Sequence, residues 1–377
     1  MRVLMTGGGT GGHVYPALAI AETIKAKCPD SEIAFVGTEK GIENKLVAKE
    51  GYKIYHVPIQ GIRRSLSPQN IRTAYLVMTS PKKAKRIIEE FRPDVVIGTG
   101  GYVCWPLLQA ASSMGIPSVV HESNAAPGLA VKVLRKKLDL ILTNFEETAA
   151  ELRTDKRIVN VGNPLRTKCG ALDKTAAREA LGIAKDRFVV LSFGGSIGAK
   201  GVNLSALEIM KSFSAVRGDV IHYHACGTRF YDSFSKELAE CGLNKKENIK
   251  VSDYIYDMPT YMAAADVVVC RAGAMTVSEI AMLRKPTVLI PSPHVTDDHQ
   301  YKNAKVLSDK GAAILVREEK EVNADSRSCK LAAEAVASLY HDTRLREEMS
   351  RAVSEFTRPD TGERIFREIE ALVSAKR

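Results

Sequence analysis

Tryptophan occurs once and aromatic residues make up 6% of the 377-residue chain. That is too few for the stacking platforms that hold single-stranded nucleic acids. The seven cysteines, at 28, 104, 169, 226, 241, 270 and 329, form no CxxC pair and are odd in number. Neither a zinc site nor a disulfide scaffold is indicated, and a reducing compartment is the simplest setting. An uninterrupted apolar run is also missing. The longest charge-free stretch, residues 95–120, is broken by Gly98, Gly100, Gly101, Pro106, Gly115 and Pro117. It reads as strand, loop, helix and strand in a globular core rather than a membrane span. Residues 1–5 lead directly into a glycine loop, so no export leader is expected. There is no short-period repeat and no low-complexity tract.

What is present is a globular composition, 45% apolar and 26% charged, at a length that suits two domains with separate cores. The formal charge of +10, from 54 basic and 44 acidic residues, calls for an anionic partner: nucleic acid, a phosphorylated substrate or an acidic lipid surface. Short apolar segments at 2–5, 33–36, 53–57, 95–97, 118–121 and 140–142 alternate with helical patterns such as 14–27. This rhythm predicts right-handed βαβ units and a parallel sheet. Asn163-Pro164 breaks it, and it restarts at 188–193, continuing through 220–224, 249–251, 267–270, 287–290 and 313–316. The fold class is therefore α/β, with two doubly wound domains. Residues 1–163 form the first, with an amphipathic helix in 358–377 packing back on it, and residues 164–357 form the second.

The first strand runs into Gly7-Gly8-Gly9-Thr10-Gly11-Gly12-His13. Glycines let backbone N–H groups approach a ligand closely, and the helix start beyond them offers unpaired N–H groups and a positive dipole end. The segment satisfies GxGxxG. A dinucleotide reading also wants an acid ending the second strand, where Gly37-Thr38 stands with Glu39 just beyond. His13 sits where the helix dipole disfavours imidazolium, which makes it a candidate proton acceptor. A second loop, Gly194-Gly195-Ser196-Ile197-Gly198-Ala199, opens the second domain. Ser196 and the neighbouring N–H groups suit a diphosphate bound without metal. Two such loops, one per domain, predict two ligands meeting in a cleft.

In a third segment, 270–279, Arg271 suits a phosphate and Glu279 suits the two hydroxyls of a ribose. Asp297-Asp298-His299-Gln300 follows a strand and suits a polyhydroxylated sugar. The acid–acid–His spacing fits no standard metal site, so neither metal nor cofactor is expected.

Taken together, GGGTGGHVYPALAIA (7–21), GTGGYV (98–103), GIPSVVHESNAAPGL (115–129), VGNPLR (161–166), FGGSIGA (193–199), CRAGAMTVSEIA (270–281) and DDHQYKNA (297–304) resemble the MurG family. These are the N-acetylglucosaminyltransferases of peptidoglycan synthesis, and the resemblance spans nearly the whole chain. It implies the glycosyltransferase B architecture, two Rossmann-like domains facing a cleft. It implies UDP-N-acetylglucosamine as donor, undecaprenyl-linked lipid I as acceptor, lipid II as product, and inversion at the anomeric carbon. The implied setting is the cytoplasmic face of the bacterial cell membrane, with no nucleic acid partner.

Carried over residue by residue, Arg271, Met275, Thr276 and Glu279 hold the nucleotide, and His299 and Gln300 face the sugar. Ser196 lies by the diphosphate, Ile255 reads the uracil, and Arg166 contributes near the domain junction. Thr10, Gly11 and Gly12 are assigned to the donor from the first domain. Gly8, Gly9, Tyr102, His121 and Asn124 are assigned to the acceptor. His13 matches the residue proposed as general base, and Glu122 is the second choice. Ala130-Val131-Lys132 departs from the usual Thr-Asn-Lys, so no acceptor contact is carried over there. A rival within the same fold is transfer to another lipid such as diacylglycerol.

Residues 63–92 hold eight basic and two acidic side chains, with Ile71, Tyr75 and Met78 at helical spacing. Such a segment reads as a peripheral attachment to an anionic membrane surface. The alternative is a solvated helix that packs Ile71 and Tyr75 inward.

Overall fold

The computed structural model describes residues 1–62, 67–165 and 172–376. The chain divides into two compact units, Met1–Leu165 with Asp360–Arg377, and Arg166–Pro359. The first unit holds β1 (Arg2–Thr6), β2 (Glu32–Gly37), β3 (Lys53–His56), β4 (Val95–Gly98), β5 (Ser118–Glu122), β6 (Leu140–Thr143) and β7 (Arg157–Asn160). Their order is β3-β2-β1-β4-β5-β6-β7, every pair parallel. The second unit holds β8 (Phe188–Phe193), β9 (Val220–Ala225), β10 (Ile249–Ser252), β11 (Val267–Cys270), β12 (Thr287–Leu289) and β13 (Ile314–Leu315). These are also all parallel, in the order β10-β9-β8-β11-β12-β13.

The sheets are parallel because their central strands are apolar on both faces and are covered on both by helices. In β1, Val3 and Met5 join Ile20 and Ile24 on one side. Leu4 joins Leu107 and Leu108 on the other. The terminal helix Thr361–Lys376 closes the first of these layers, burying Ile365, Ile369 and Val373. Each such side chain contributes about 2 kcal/mol. Thr361 Oγ1 donates to the Val161 carbonyl at 2.8 Å, and Arg157 pairs with Glu368 at 2.7 Å.

β7 was not among the expected strands. Only Ile158 and Val159 are apolar in it, and it forms the sheet edge beside β6, where half of its surface meets no neighbouring strand. Among the described residues no helix is long and apolar enough to cross a membrane.

Both strand orders reverse direction once, between β1 and β4 and between β8 and β11. In open sheets a ligand binds beyond the carboxyl ends of the strands at such a reversal, because the neighbouring loops diverge there. Each sheet therefore singles out two loops, and the glycine-rich segments occupy one of the two in each unit.

Candidate active site

In the first unit the loop Gly7–Thr10 connects β1 to the helix Gly11–Lys27. Thr10 caps that helix in an extended conformation, its side chain making no capping bond, and no acid lies in the first turn. The first N–H groups of a helix lack partners within it, and the dipole makes them electropositive, so this end suits an anion. Packing accounts for several of the glycines. A side chain on Gly8 would come within 2.8 Å of the Glu43 carboxylate, and one on Gly9 within 3.0 Å of the Tyr102 ring. Gly12 differs: a side chain there would meet only the Thr10 hydroxyl, at 3.8 Å, and Gly12 is exposed. No packing contact around Gly12 requires glycine there.

The loop after β4 lies beside this one because Thr6 and Gly98 are register partners. His13 Nδ1 is 3.1 Å from the Thr99 carbonyl, and the Thr99 hydroxyl donates to the His13 carbonyl at 2.7 Å. A carbonyl has no proton to give, so Nδ1 carries the hydrogen and the neutral ring keeps its basic lone pair on Nε2. The ring lies against Gly100, where a side chain would come within 2.7 Å of Nδ1. Tyr102 is half-buried, and burial raises its phenol above the usual range.

The structure gives packing roles to one acceptor assignment, His121, and to the second choice of base, Glu122. The His121 ring is wholly buried, with Nε2 2.8 Å from the Gly162 carbonyl, and burial lowers it to about 4. It is a neutral group of the core. Glu122 is also buried, and its carboxylate accepts from the backbone and side-chain nitrogens of Asn124 (3.0 and 3.2 Å) and from the Gly128 N–H (2.8 Å). Those bonds tie Glu122 into the 122–128 loop and give it a bracing role there. Asn124, which donates to it, is half-buried at the surface of that loop.

In the second unit the loop Gly194–Ala199 leads into the helix Lys200–Ser212, again without a side-chain cap or an acid in its first turn. Ser196 is exposed at the loop. Cys270 of β11 is the register partner of Phe193 of β8, which brings Arg271–Gly273 alongside. Arg271 Nη1 donates to the Ile290 carbonyl at 2.8 Å and pairs with Glu318, which is 3% exposed at its side chain. A side chain on Gly201, in the first turn of Lys200–Ser212, would occupy the place of the Glu318 carboxylate. Arg271 is thus a cation held by a buried counter-ion, which itself packs at the start of the neighbouring helix.

Met275 and Thr276 lie in the first turn of the helix Ala274–Met282, with Glu279 one turn on, on the Met275 face. Burial pushes the Glu279 carboxyl up to about 7. Asn303, buried, donates to the Ala272 carbonyl at 3.1 Å, and Gln300 Oε1 accepts from the Ser292 N–H at 3.0 Å. His299 Nδ1 is 2.8 Å from the Thr296 carbonyl. Just before it, Asp297 and Asp298 both have φ of 53°, a left-handed conformation that L side chains adopt at a cost. Ile255 is buried between the more exposed Tyr254 and Tyr256. Arg166 lies outside the described residues. His222 and His224 share the Ser192 hydroxyl at 2.8 Å each in the interior and belong to the core.

Sequence reading missed Glu43, Thr99, Asn303 and Glu318. Thr99 and Asn303 stood within quoted motifs. The two acids stood outside the quoted motifs, and the glycines that show their roles include Gly8 for Glu43 and Gly201 for Glu318, both distant in sequence.

On the surface of the first unit, the helix Gln69–Phe91 leaves Ile71, Tyr75 and Met78 outward at 77%, 66% and 79% exposure. The inward packing of Ile71 and Tyr75 is thereby overturned. Thr73, Ser80, Ala84, Ile87, Ile88 and Phe91 take the buried face instead. Arg72, Lys82, Lys83 and Lys85 are exposed, while Arg63 and Arg64 lie outside the described residues.

The chain matches the glycosyltransferase family 28 N-terminal domain over residues 3–143 and the family 28 C-terminal domain over residues 189–365. It is 39% identical over 376 residues to the UDP-N-acetylglucosamine–N-acetylmuramyl-(pentapeptide) pyrophosphoryl-undecaprenol N-acetylglucosamine transferase of Acetivibrio thermocellus, covering 100% of this chain and 99% of that one. It is 40% identical over 366 residues to the protein of the same description in Leuconostoc citreum, covering 97% of each. Among solved structures, MurG of Acinetobacter baumannii superposes with a TM-score of 0.77 at 28% identity, over 98% of this chain and 99% of that one.

Proposed function

The chain belongs to glycosyltransferase family 28, and we propose that it moves N-acetylglucosamine from UDP-N-acetylglucosamine to the 4-hydroxyl of the N-acetylmuramic acid of lipid I, forming lipid II. The observation that carries this reading is the 39% identity to a named transferase along the whole chain, both glycine loops included. In this reading the second unit takes the donor. The N–H groups that open Lys200–Ser212, with Ser196 and Arg271, receive the diphosphate. Met275, Thr276 and Glu279 face the nucleoside, Ile255 the base, and His299 and Gln300 the sugar. The first unit takes the acceptor diphosphate at the start of Gly11–Lys27, with Gly8, Tyr102 and Asn124 around it, and in this reading Thr10, Gly11 and Gly12, assigned above to the donor, serve the acceptor instead.

The 4-hydroxyl attacks C1 from the face opposite UDP, and one displacement inverts the anomeric centre. His13 Nε2 takes the hydroxyl proton as the new bond forms. Negative charge grows on the departing diphosphate, where fixed N–H dipoles and Arg271 stabilise it without having to reorient. Steady-state assays with lipid I and with diacylglycerol test the acceptor. UDP release with lipid I alone is expected, and the opposite preference would overturn the assignment.

Glu279 gives donor binding a pH dependence. An ionised carboxylate accepts from both ribose hydroxyls, whereas the protonated form competes as a donor. With the carboxyl raised to about 7, UDP-N-acetylglucosamine affinity should rise about tenfold between pH 6 and pH 8. The diphosphate diester of that ligand loses no proton in this range. Isothermal titration across the range checks it: Glu279→Gln should flatten the profile, and a flat wild-type profile would refute the role.

The outward Ile71, Tyr75 and Met78, ringed by Arg72, Lys82 and Lys83, support peripheral attachment to an anionic membrane at its cytoplasmic face. Charge attraction contributes about 1 kcal/mol per basic residue near such a surface. Changing Lys82 and Lys83 to Gln together with Ile71→Ser and Met78→Ser is expected to lower co-sedimentation with phosphatidylglycerol vesicles by about tenfold or more. Unchanged binding would end the idea.

A further inference from the structure

We infer that Glu43 is the positioning residue of the acceptor loop, a buried carboxylate that sets the conformation of Gly8–Gly12 and through it the placement of His13. The inference rests on the reading that this loop receives the acceptor diphosphate.

Glu43 opens the helix Glu43–Lys49 on the far side of β2, yet its side chain reaches under the glycine loop and is 1% exposed. Its Oε2 accepts from the Gly9 N–H at 3.2 Å. Its Oε1 accepts from the Thr38 N–H at 2.9 Å and from the Thr38 hydroxyl at 2.8 Å. Three glycines, two of them just before it in the chain and one 35 residues away, make room for this one group. A side chain on Gly8 would come within 2.8 Å of it and one on Gly37 within 2.6 Å, and one on Gly41 would overlap it. Such a cradle is more than burial of a stray acid requires.

The consequence for the site is a division of the loop's N–H groups. Gly9, at φ of 84°, turns its N–H inward to Glu43. That N–H does not face a ligand, which corrects its place among the acceptor contacts. The N–H groups of Gly11 and Gly12 at the helix start are left to meet the anion. A carboxylate only accepts, so it fits a pocket lined by N–H and O–H donors. An amide in its place turns an NH2 toward one set of those donors. The Gly9 bond would then fail while the volume stayed nearly constant. The loop would sample other conformations, and His13, three residues beyond Thr10 on the same turn, would lose its fixed position over Gly100.

The test compares full-length wild type with Glu43→Gln and Glu43→Asp by two readouts. Hydrogen exchange by mass spectrometry reads the loop without any substrate. Exchange in the peptide spanning 7–13 is expected to speed up about fivefold or more in Glu43→Gln, with peptides of 188–316 unchanged. Steady-state kinetics read the site. The acceptor KM should rise or kcat fall about tenfold, the donor KM should stay within about twofold, and Glu43→Asp should recover part of the loss. Unchanged exchange in 7–13, or donor and acceptor constants moving together with faster exchange throughout the chain, would overturn the inference. If wild type transfers no sugar to lipid I, the functional reading fails, and the exchange result still decides whether Glu43 holds the loop.

Discussion

His13→Ala is expected to lower kcat by about 10²–10⁴-fold, the usual contribution of a positioned general base, while leaving UDP-N-acetylglucosamine affinity within about twofold. The expectation follows from three features of the ring. The Thr99 carbonyl, 3.1 Å from Nδ1, fixes the tautomer with its lone pair on Nε2. The ring stands at the start of the helix Gly11–Lys27. Gly100 leaves room for the ring, since a side chain there would come within 2.7 Å of Nδ1. Each fixes where the base stands, and none concerns the nucleotide, which is why donor affinity is expected to survive. Pre-steady-state turnover alongside donor titration checks both halves. Full activity in His13→Ala would remove the residue from the chemistry. Loss of donor affinity in step with kcat would instead point to a binding role.

Glu318→Ala is expected to destabilise the second unit by about 3–5 kcal/mol, because it leaves the Arg271 guanidinium without its counter-ion in the interior. In thermal unfolding this corresponds to a fall of about 10 °C in Tm for a unit of this size. Arg271 and Glu318 are both largely buried, so water screens the pair little. Glu318 also packs at Gly201, in the first turn of the helix that faces the donor diphosphate. A well-packed apolar pair, Arg271→Met with Glu318→Leu, should restore most of the Tm while abolishing donor binding, which separates stability from function. A Tm within about 2 °C of wild type in Glu318→Ala would show that the pair carries no such weight.

The sheets and their glycine loops could be read from the chain because parallel strands bury both faces and so appear as short apolar runs. β1, β4, β8 and β11 stand close to where those runs predicted. β7 escaped because an edge strand buries less and needs fewer apolar residues. The site was less legible, for a different reason. His121 was assigned to the acceptor and Glu122 as a second choice of base, but neighbouring residues on a strand point to opposite faces, and here both faces are core. Glu43 and Glu318 look like ordinary acids until the folded chain brings Gly8, Gly37 and Gly41 around one and Gly201 against the other. Glycines were read as room for a ligand, yet several make room for a buried carboxylate. That distinction depends on folded contacts, with Gly8 against Glu43 and Gly201 against Glu318 brought together from distant segments.

The most direct test of sugar transfer is the product itself. Purified protein given UDP-N-acetylglucosamine and lipid I should release UDP in a one-to-one ratio with a lipid heavier by one N-acetylhexosamine, whose new linkage nuclear magnetic resonance shows to be β. Hydrolysis of the donor without a heavier lipid, or an α linkage, would contradict the account.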